Sequence, residues 1–398
     1  MSPEFNELSD VSPEFRNYYN VVMMPKQRMA EAMAVRVPDR VPVMCQMSIG
    51  HMLLQTGFPP SEFWFSAEIF AEGLLRLREL YGFDGILISL HGHPPDWSRN
   101  VLSIERDDKG ERVRWKNGDR TVFPADDLPL HFPAGDRPRP DIASFDPASL
   151  PKEIGFIPVS QGLEFRLDPD HLFDVIDIVR ARAGDVFSIH GEVTSPFDYF
   201  LNLAGFREGF LALVDEPVRS KDILARFSDG LVRLAQGLSG RGLDALKISS
   251  PFAGAGFISP ACYREFVLPF EARIAAAARD RGVFVYTHTC GAVHDRLELM
   301  AETGVSGIEC LDPPPLGTVD LADAKRRIGD RLFIKGNLDP VHVLLRGTEA
   351  DVERDARRCL EIGKPGGGYI LSTACSAAPH TPRRNLQVLA RAAEEWGR

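Results

Sequence analysis

A histidine and a cysteine stand two apart in THTCG, as His288 and Cys290, at the end of an apolar run and directly before Gly291. On an extended segment residues i and i+2 point to the same side, so one imidazole and one thiolate can reach a single ion. A third donor must come from elsewhere, and Cys375 closes another apolar run 375 − 290 = 85 residues later. Two thiolates and an imidazole are soft donors that suit zinc far better than magnesium, calcium or manganese. Three protein ligands leave a fourth position for a carboxylate, a water or a substrate. Glu309, at the end of the next apolar run, is the carboxylate expected there, or else it positions substrate or pairs with Lys335. The bland alternative makes Cys290 and Cys375 small buried hydrophobes and His288 a core histidine. A bare H-x-C favours that alternative; a second cysteine in the same context reverses the balance. Zinc on two thiolates is a mild Lewis acid, and a thiol reaching it is deprotonated near neutral pH, so the chemistry expected is thiol alkylation.

Such residues need elements that bring strand ends together. From about residue 40 the sequence repeats one grammar: a short apolar or β-branched run, a polar or Gly/Pro break, then a stretch with helical spacing. That alternation predicts parallel strands with crossover helices. Eight runs qualify: VPVMCQM (41–47), GILISL (85–90), VFSIHGEV (186–193), ALKISSPF (245–252), VFVYTHTC (283–290), GIECL (307–311), LFIKGNL (332–338) and GYILSTAC (368–375). They predict an α/β fold, a (β/α)8 TIM barrel with its working residues at the carboxyl ends of the strands. FIPVSQG (156–162) competes for a place. One helix is expected after Ser259 and Pro260, a cap and a first position. Another lies in TVDLADAKRRIG after Thr318, acidic early, basic late and closed by Gly329. Residues 1–40 read as a helical N-terminal extension, and 95–150 as a small antiparallel insertion after the second strand, with DDKG and KNGD as hairpin turns. The chain, 1–398, is expected to form one elaborated barrel domain.

The balance of 46 Lys+Arg against 56 Asp+Glu gives a formal charge of −10, which opposes binding to nucleic acid or to an anionic membrane surface. No stretch approaches the roughly 18 apolar residues of a membrane helix, and no signal segment opens the chain. Six scattered cysteines do not resemble a disulfide scaffold. A cytoplasmic protein with a small-molecule substrate is expected.

The strand ends offer further candidates. His91 and His93, in HGHPPDW, are expected to line the pocket, His91 as a proton carrier and His93 against substrate, or else to sit in a turn stiffened by Pro94 and Pro95. His190 is expected to touch substrate. Asn337, in GNLDP, reads as pocket-shaping, with turn stabilisation as the alternative for it and for Asp339. Cys310, next to Glu309, is expected on the opposite face of its strand, packed against a helix. No phosphate-binding G-x-x-x-x-G-K-[ST] and no corrinoid-binding D-x-H-x-x-G are present.

ISP…YREFVLPF, THTCG, GIECLDPPP…DLADAKRRIGDRLFIKGNLDP and GGGYILSTACS…TPRRNL, in that order, resemble the uroporphyrinogen decarboxylase superfamily over nearly the whole barrel. Within it the chain is more similar to the zinc methyltransferases, including methylcobalamin:coenzyme M methyltransferases, which carry His-x-Cys and a distal Cys. It departs from the decarboxylase, which has MRQAGR where this chain reads MCQMSIG from Met44, and an aspartate near the place of His91 in SLHGH. Cobalamin-independent methionine synthase is similar in ligand order, which maps onto His288, Cys290, Glu309 and Cys375. The resemblance also implies that Glu192, in HGEVTSP, faces the pocket as base, amine ligand or rival for zinc.

The function expected is a zinc-dependent methyltransferase that activates a thiol acceptor as a zinc thiolate. The resemblance implies methylcobalamin as donor, carried by a separate corrinoid protein or arriving free, with a folate or a simple methyl compound as the alternative donors. Rival expectations are a metal-independent decarboxylase or lyase using His91 and Glu192, zinc-dependent opening of an epoxide by a thiol, and a non-catalytic binding protein. A homodimer is expected from the way such barrels commonly pair.

Overall fold

The structure, a computed structural model, describes residues 22–136, 138–160 and 162–398. Seven parallel strands form its central sheet. In chain order the first is β1 (Gly85–Ile88). An insertion follows, made of β2 (Val101–Asp107), β3 (Gly110–Trp115), β4 (Arg120–Pro124) and β5 (Leu130–Phe132). Next comes a separate hairpin, β6 (Phe156–Ser160) and β7 (Leu163–Arg166). The central sheet then resumes with β8 (Ser188–Thr194), β9 (Ala245–Ser249), β10 (Phe284–Thr289), β11 (Gly307–Cys310), β12 (Phe333–Leu338) and β13 (Tyr369–Thr373). Its order is β1-β8-β9-β10-β11-β12-β13, with each neighbouring pair parallel. Strands covered on both faces read as continuous apolar runs, and β1 and β13 are buried at every position.

The segment 41–47, expected as a strand, is instead a bridged connector. Val43 and Met47 make isolated parallel bridges to Leu371 and Ala377. On its other side the Asp84 N–H donates to the Val43 carbonyl at 2.8 Å. The segment thus runs between the last strand and the first, curling the sheet toward closure. Pro42 has no N–H to give to a ladder, one reason the contact stays discontinuous. FIPVSQG lies outside the barrel, because Phe156–Ser160 pairs antiparallel with Leu163–Arg166.

Helix starts follow the sequence. Ser259 accepts from the Cys262 N–H before helix Pro260–Phe266, and Asp320 accepts from the Asp323 N–H before Leu321–Ile328. Of the N-terminal extension, Pro25–Met33 is helical; residues 1–21 lie outside those described. Met29, Ala32 and Met33 from that helix pack with Met44, Leu87, Ala245, Tyr286, Phe333 and Ile370 from the barrel segments. This apolar layer closes the amino end of the barrel and leaves the carboxyl end to polar groups. Among the described residues no helix is long and apolar enough to cross a membrane.

Candidate metal centre

Four soft donors converge at the carboxyl ends of three strands. His288 lies on β10 and Cys290 just past it, and their Nε2 and Sγ atoms are 3.3 Å apart. Cys375 follows β13 with its Sγ 3.7 Å from that of Cys290. Cys310, the last residue of β11, joins them: the ligand atoms of His288, Cys290, Cys310 and Cys375 all lie within 4.8 Å of one another. Cys290 and Cys375 are half-buried and Cys310 is buried, so an approaching molecule meets the first two.

Hydrogen bonds from Cys290 and then Cys310 hold the Cys375 thiol well below its usual range, while burial pushes Cys310 well up. Burial and the Lys247 ammonium oppose charge on His288, yet the Cys290 and Cys375 sulfurs carry it well above an ordinary histidine. These directions put thiolate character on Cys375 and a proton on His288, and a bound cation would take the place of that proton between the imidazole and the sulfurs. Zinc ligands about 2.3 Å (sulfur) and 2.0–2.1 Å (nitrogen) from a tetrahedral ion lie about 3.5–3.8 Å from each other. The observed 3.3 and 3.7 Å separations are close to that spacing, so the donors fit zinc.

Of its expected roles Glu309 takes the pairing with Lys335 rather than a ligand position. Its Oε2 accepts from His288 Nδ1 at 3.0 Å and lies 3.4 Å from Lys247 Nζ, and its Oε1 takes the Lys335 ammonium. Burial opposes its charge, but Lys335 and Lys247 hold its pKa well below the carboxylate range. With both oxygens engaged, Glu309 stands behind the imidazole and turns Nε2 toward the sulfurs, the arrangement by which carboxylates orient ligating histidines.

Cys310 corrects a second expectation. The β10–β11 register pairs His288 with Glu309 and Thr289 with Cys310, so strand alternation would send Cys310 away from the histidine. Positive φ values of 88° at Cys310 and 62° at Leu311 break the alternation. Such backbone costs of order 1–3 kcal/mol per residue and persists where neighbours over-determine it. Three contacts do so here. A Cβ at Gly336 would lie 2.6 Å from the Cys310 carbonyl oxygen, so only glycine admits that approach. Asn337 Nδ2 donates to the Leu311 carbonyl at 3.0 Å. Cys310 Sγ donates to Asp312 Oδ2 at 3.2 Å, and the same oxygen accepts the Gly291 N–H at 2.6 Å. Asn337, expected against substrate, instead braces this turn, and Asp339 caps the next segment by accepting from the Val341 and His342 N–H groups. GNLDP following GIECL was the available signal for a constrained turn.

The remaining candidates separate into a mouth and a core. Glu192 is 12% exposed, 3.4 Å from Lys247 Nζ, which also donates to Gln46. His190 bridges Ser188 Oγ at 3.0 Å and the Tyr286 hydroxyl at 3.1 Å, and burial pushes it down to about 3. His93 packs against Phe70 and Phe165 with ring centroids 5.2 and 4.9 Å away. Burial lowers His91 to about 4 and His93 to about 3, so both are neutral at neutral pH. Neither ring nitrogen of His93 has a hydrogen-bond partner among the described residues, and His91 has only a contact with the Glu192 backbone. His93 and His190 are thus core side chains rather than substrate contacts, and buried, neutral His91 is not placed as an acid. Their end of β1 is covered, since the Asp168 N–H donates to the Gly92 carbonyl at 2.8 Å. A cavity of about 1050 Å³ between the insertion and the β6–β7 hairpin is lined by Trp64, Phe65, Trp97 and Trp115 among others, and by none of the four clustered donors.

Comparison with known proteins adds sequence and fold. The family profile of uroporphyrinogen decarboxylase (URO-D) matches residues 131–396. A methylcobamide:CoM methyltransferase of Methanosarcina acetivorans is 29% identical over 226 residues, 56% of this chain and 63% of that protein. A methylated-thiol–coenzyme M methyltransferase of Methanosarcina mazei is 27% identical over 294 residues, 74% of this chain and 70% of that protein. The chain therefore spans less than two thirds of the first of these relatives. A solved methyltransferase from Methanosarcina mazei shares the fold, with a TM-score of 0.70 at 21% identity over 94% of this chain and 99% of that one.

Proposed function

The chain belongs to the uroporphyrinogen decarboxylase family, and from that premise we propose that it is a zinc-dependent methyltransferase acting on a thiol. One observation carries the reading: His288 Nε2 and the Cys290 and Cys375 sulfurs face one another while Glu309 occupies Nδ1. Zinc at such a site supplies Lewis acidity that keeps a thiol deprotonated and nucleophilic near neutral pH.

The protein's own groups have distinct tasks in this reading. His288, Cys290 and Cys375 would hold the ion, and Glu309 fixes the imidazole. Lys247 and Lys335 balance Glu192 and Glu309 inside the barrel. Glu192, at the rim of that network, positions the Lys247 ammonium. The half-buried edges of Cys290 and Cys375 face the entry for the acceptor. We assign the donor role to a methylated corrinoid on a separate protein, supported by the methylcobamide relatives. Six free cysteines suit a reducing compartment such as the cytoplasm.

Elemental analysis of protein purified without added metal tests this, with Cys290→Ser and Cys375→Ser alongside. About one zinc per chain is expected in the wild type, in line with a single four-donor site, and loss of it in both variants. Folded wild type that neither contains nor takes up zinc would overturn the proposal.

A further inference from the structure

A fourth sulfur stands where a carboxylate was expected. Cys310 lies within the 4.8 Å group, and two consecutive left-handed residues turn it inward. Glu309, its neighbour, has both oxygens on His288, Lys335 and Lys247. We infer that Cys310 is the fourth protein ligand of this centre and the one that an incoming thiol replaces, a reading that rests on the zinc assignment above.

Four protein donors close a zinc site, whereas a working site keeps a place for its substrate. The surroundings of Cys310 reconcile the two. Of the three clustered cysteines, it alone has a carboxylate oxygen in hydrogen-bond reach among the described residues, Asp312 Oδ2 at 3.2 Å. In the exchange the S–H bond of the incoming thiol breaks and its sulfur takes the place of Cys310 Sγ. The proton passes to Cys310 Sγ, which then donates to Asp312. One thiolate leaves as one arrives, so the charge of the centre is unchanged. The second Asp312 contact, the Gly291 N–H at 2.6 Å, keeps that acceptor in place during the exchange.

X-ray absorption at the zinc edge counts the sulfur ligands directly, and the electronic spectrum of cobalt(II)-substituted protein reports thiolate ligation independently. Wild type is expected to show three sulfurs and one nitrogen, and Cys310→Ser two sulfurs at unchanged metal stoichiometry. Added 2-hydroxyethaneselenol should bring one selenium to the metal in both, lowering the wild-type sulfur count from three to two and leaving that of Cys310→Ser at two. A wild-type count of two before the selenol, or one that stays at three after it, overturns the inference, and neither result needs the variant to fold. Two sulfurs in wild type before the selenol would leave the methyltransferase reading standing; a protein that binds no zinc sinks both.

Discussion

At the end of β10, His288 and Cys290 reach the cluster because strand alternation carries them there; at the end of β11, Cys310 reaches it because alternation fails. The first end needs only extended backbone. The second needs two positive φ angles, a glycine on the next strand and an asparagine gripping the turn carbonyl. A donor placed by a regular strand depends on its own segment, whereas one placed by an irregular turn depends on the neighbouring strand as well. Substitutions behind each end should therefore differ in what they disturb.

The largest effect is expected where the two ends meet. Glu309→Gln keeps the shape but weakens the grip on His288 Nδ1, and losing a partner that orients a ligating histidine lowers metal affinity about 10- to 100-fold. Competition for zinc against a chelator of known affinity measures this; unchanged affinity would mean that the β11 carboxylate does not support the β10 ligand. Gly336→Ala should come next. Its Cβ would press on the Cys310 carbonyl at 2.6 Å, and overpacking of this sort costs about 1–3 kcal/mol. Denaturant unfolding reads the stability, and the sulfur count at the metal reads whether Cys310 has swung out. A stable variant with wild-type ligation would show that the turn does not depend on this contact. The smallest effect is expected from Asn337→Ala. It removes one bond to the Leu311 carbonyl, worth about 0.5–1.5 kcal/mol in denaturant unfolding. A loss as large as that of Gly336→Ala would mean the asparagine does more than brace the turn.

The same contrast explains what the sequence disclosed. His288 and Cys290 follow from a period of two, and Cys375 from its place after an apolar run, since both rest on rules that hold in any regular strand. Cys310 could not be read that way, because spacing alone assigns it to the Thr289 side and does not reveal positive φ at a non-glycine residue. The overreading of His190 has a depth cause. It pairs with Ala245, the first residue of β9, whereas Glu192 pairs with Lys247 further along, so His190 sits low in the barrel although its strand ends near the mouth. His91 and His93 were legible as strand-end residues; the covering chain at 167–168, far off in sequence, was not. Segment 41–47 reads as a strand from its apolar pattern, which says nothing about the donor missing at Pro42.

The 3.7 Å contact between Cys290 and Cys375 also concerns the chain as a polymer. Those residues are 85 apart in sequence. An ion gripped by both would act as a reversible cross-link, and closing a loop of that length removes roughly 4–5 kcal/mol of unfolded-chain entropy by the loop-closure relation that describes disulfides. Because the loop runs from β10 to the end of the last strand, the cross-link would fasten the half of the sheet that returns to meet the N-terminal connector. Metal occupancy would then set mechanical continuity around the barrel as well as reactivity at its mouth.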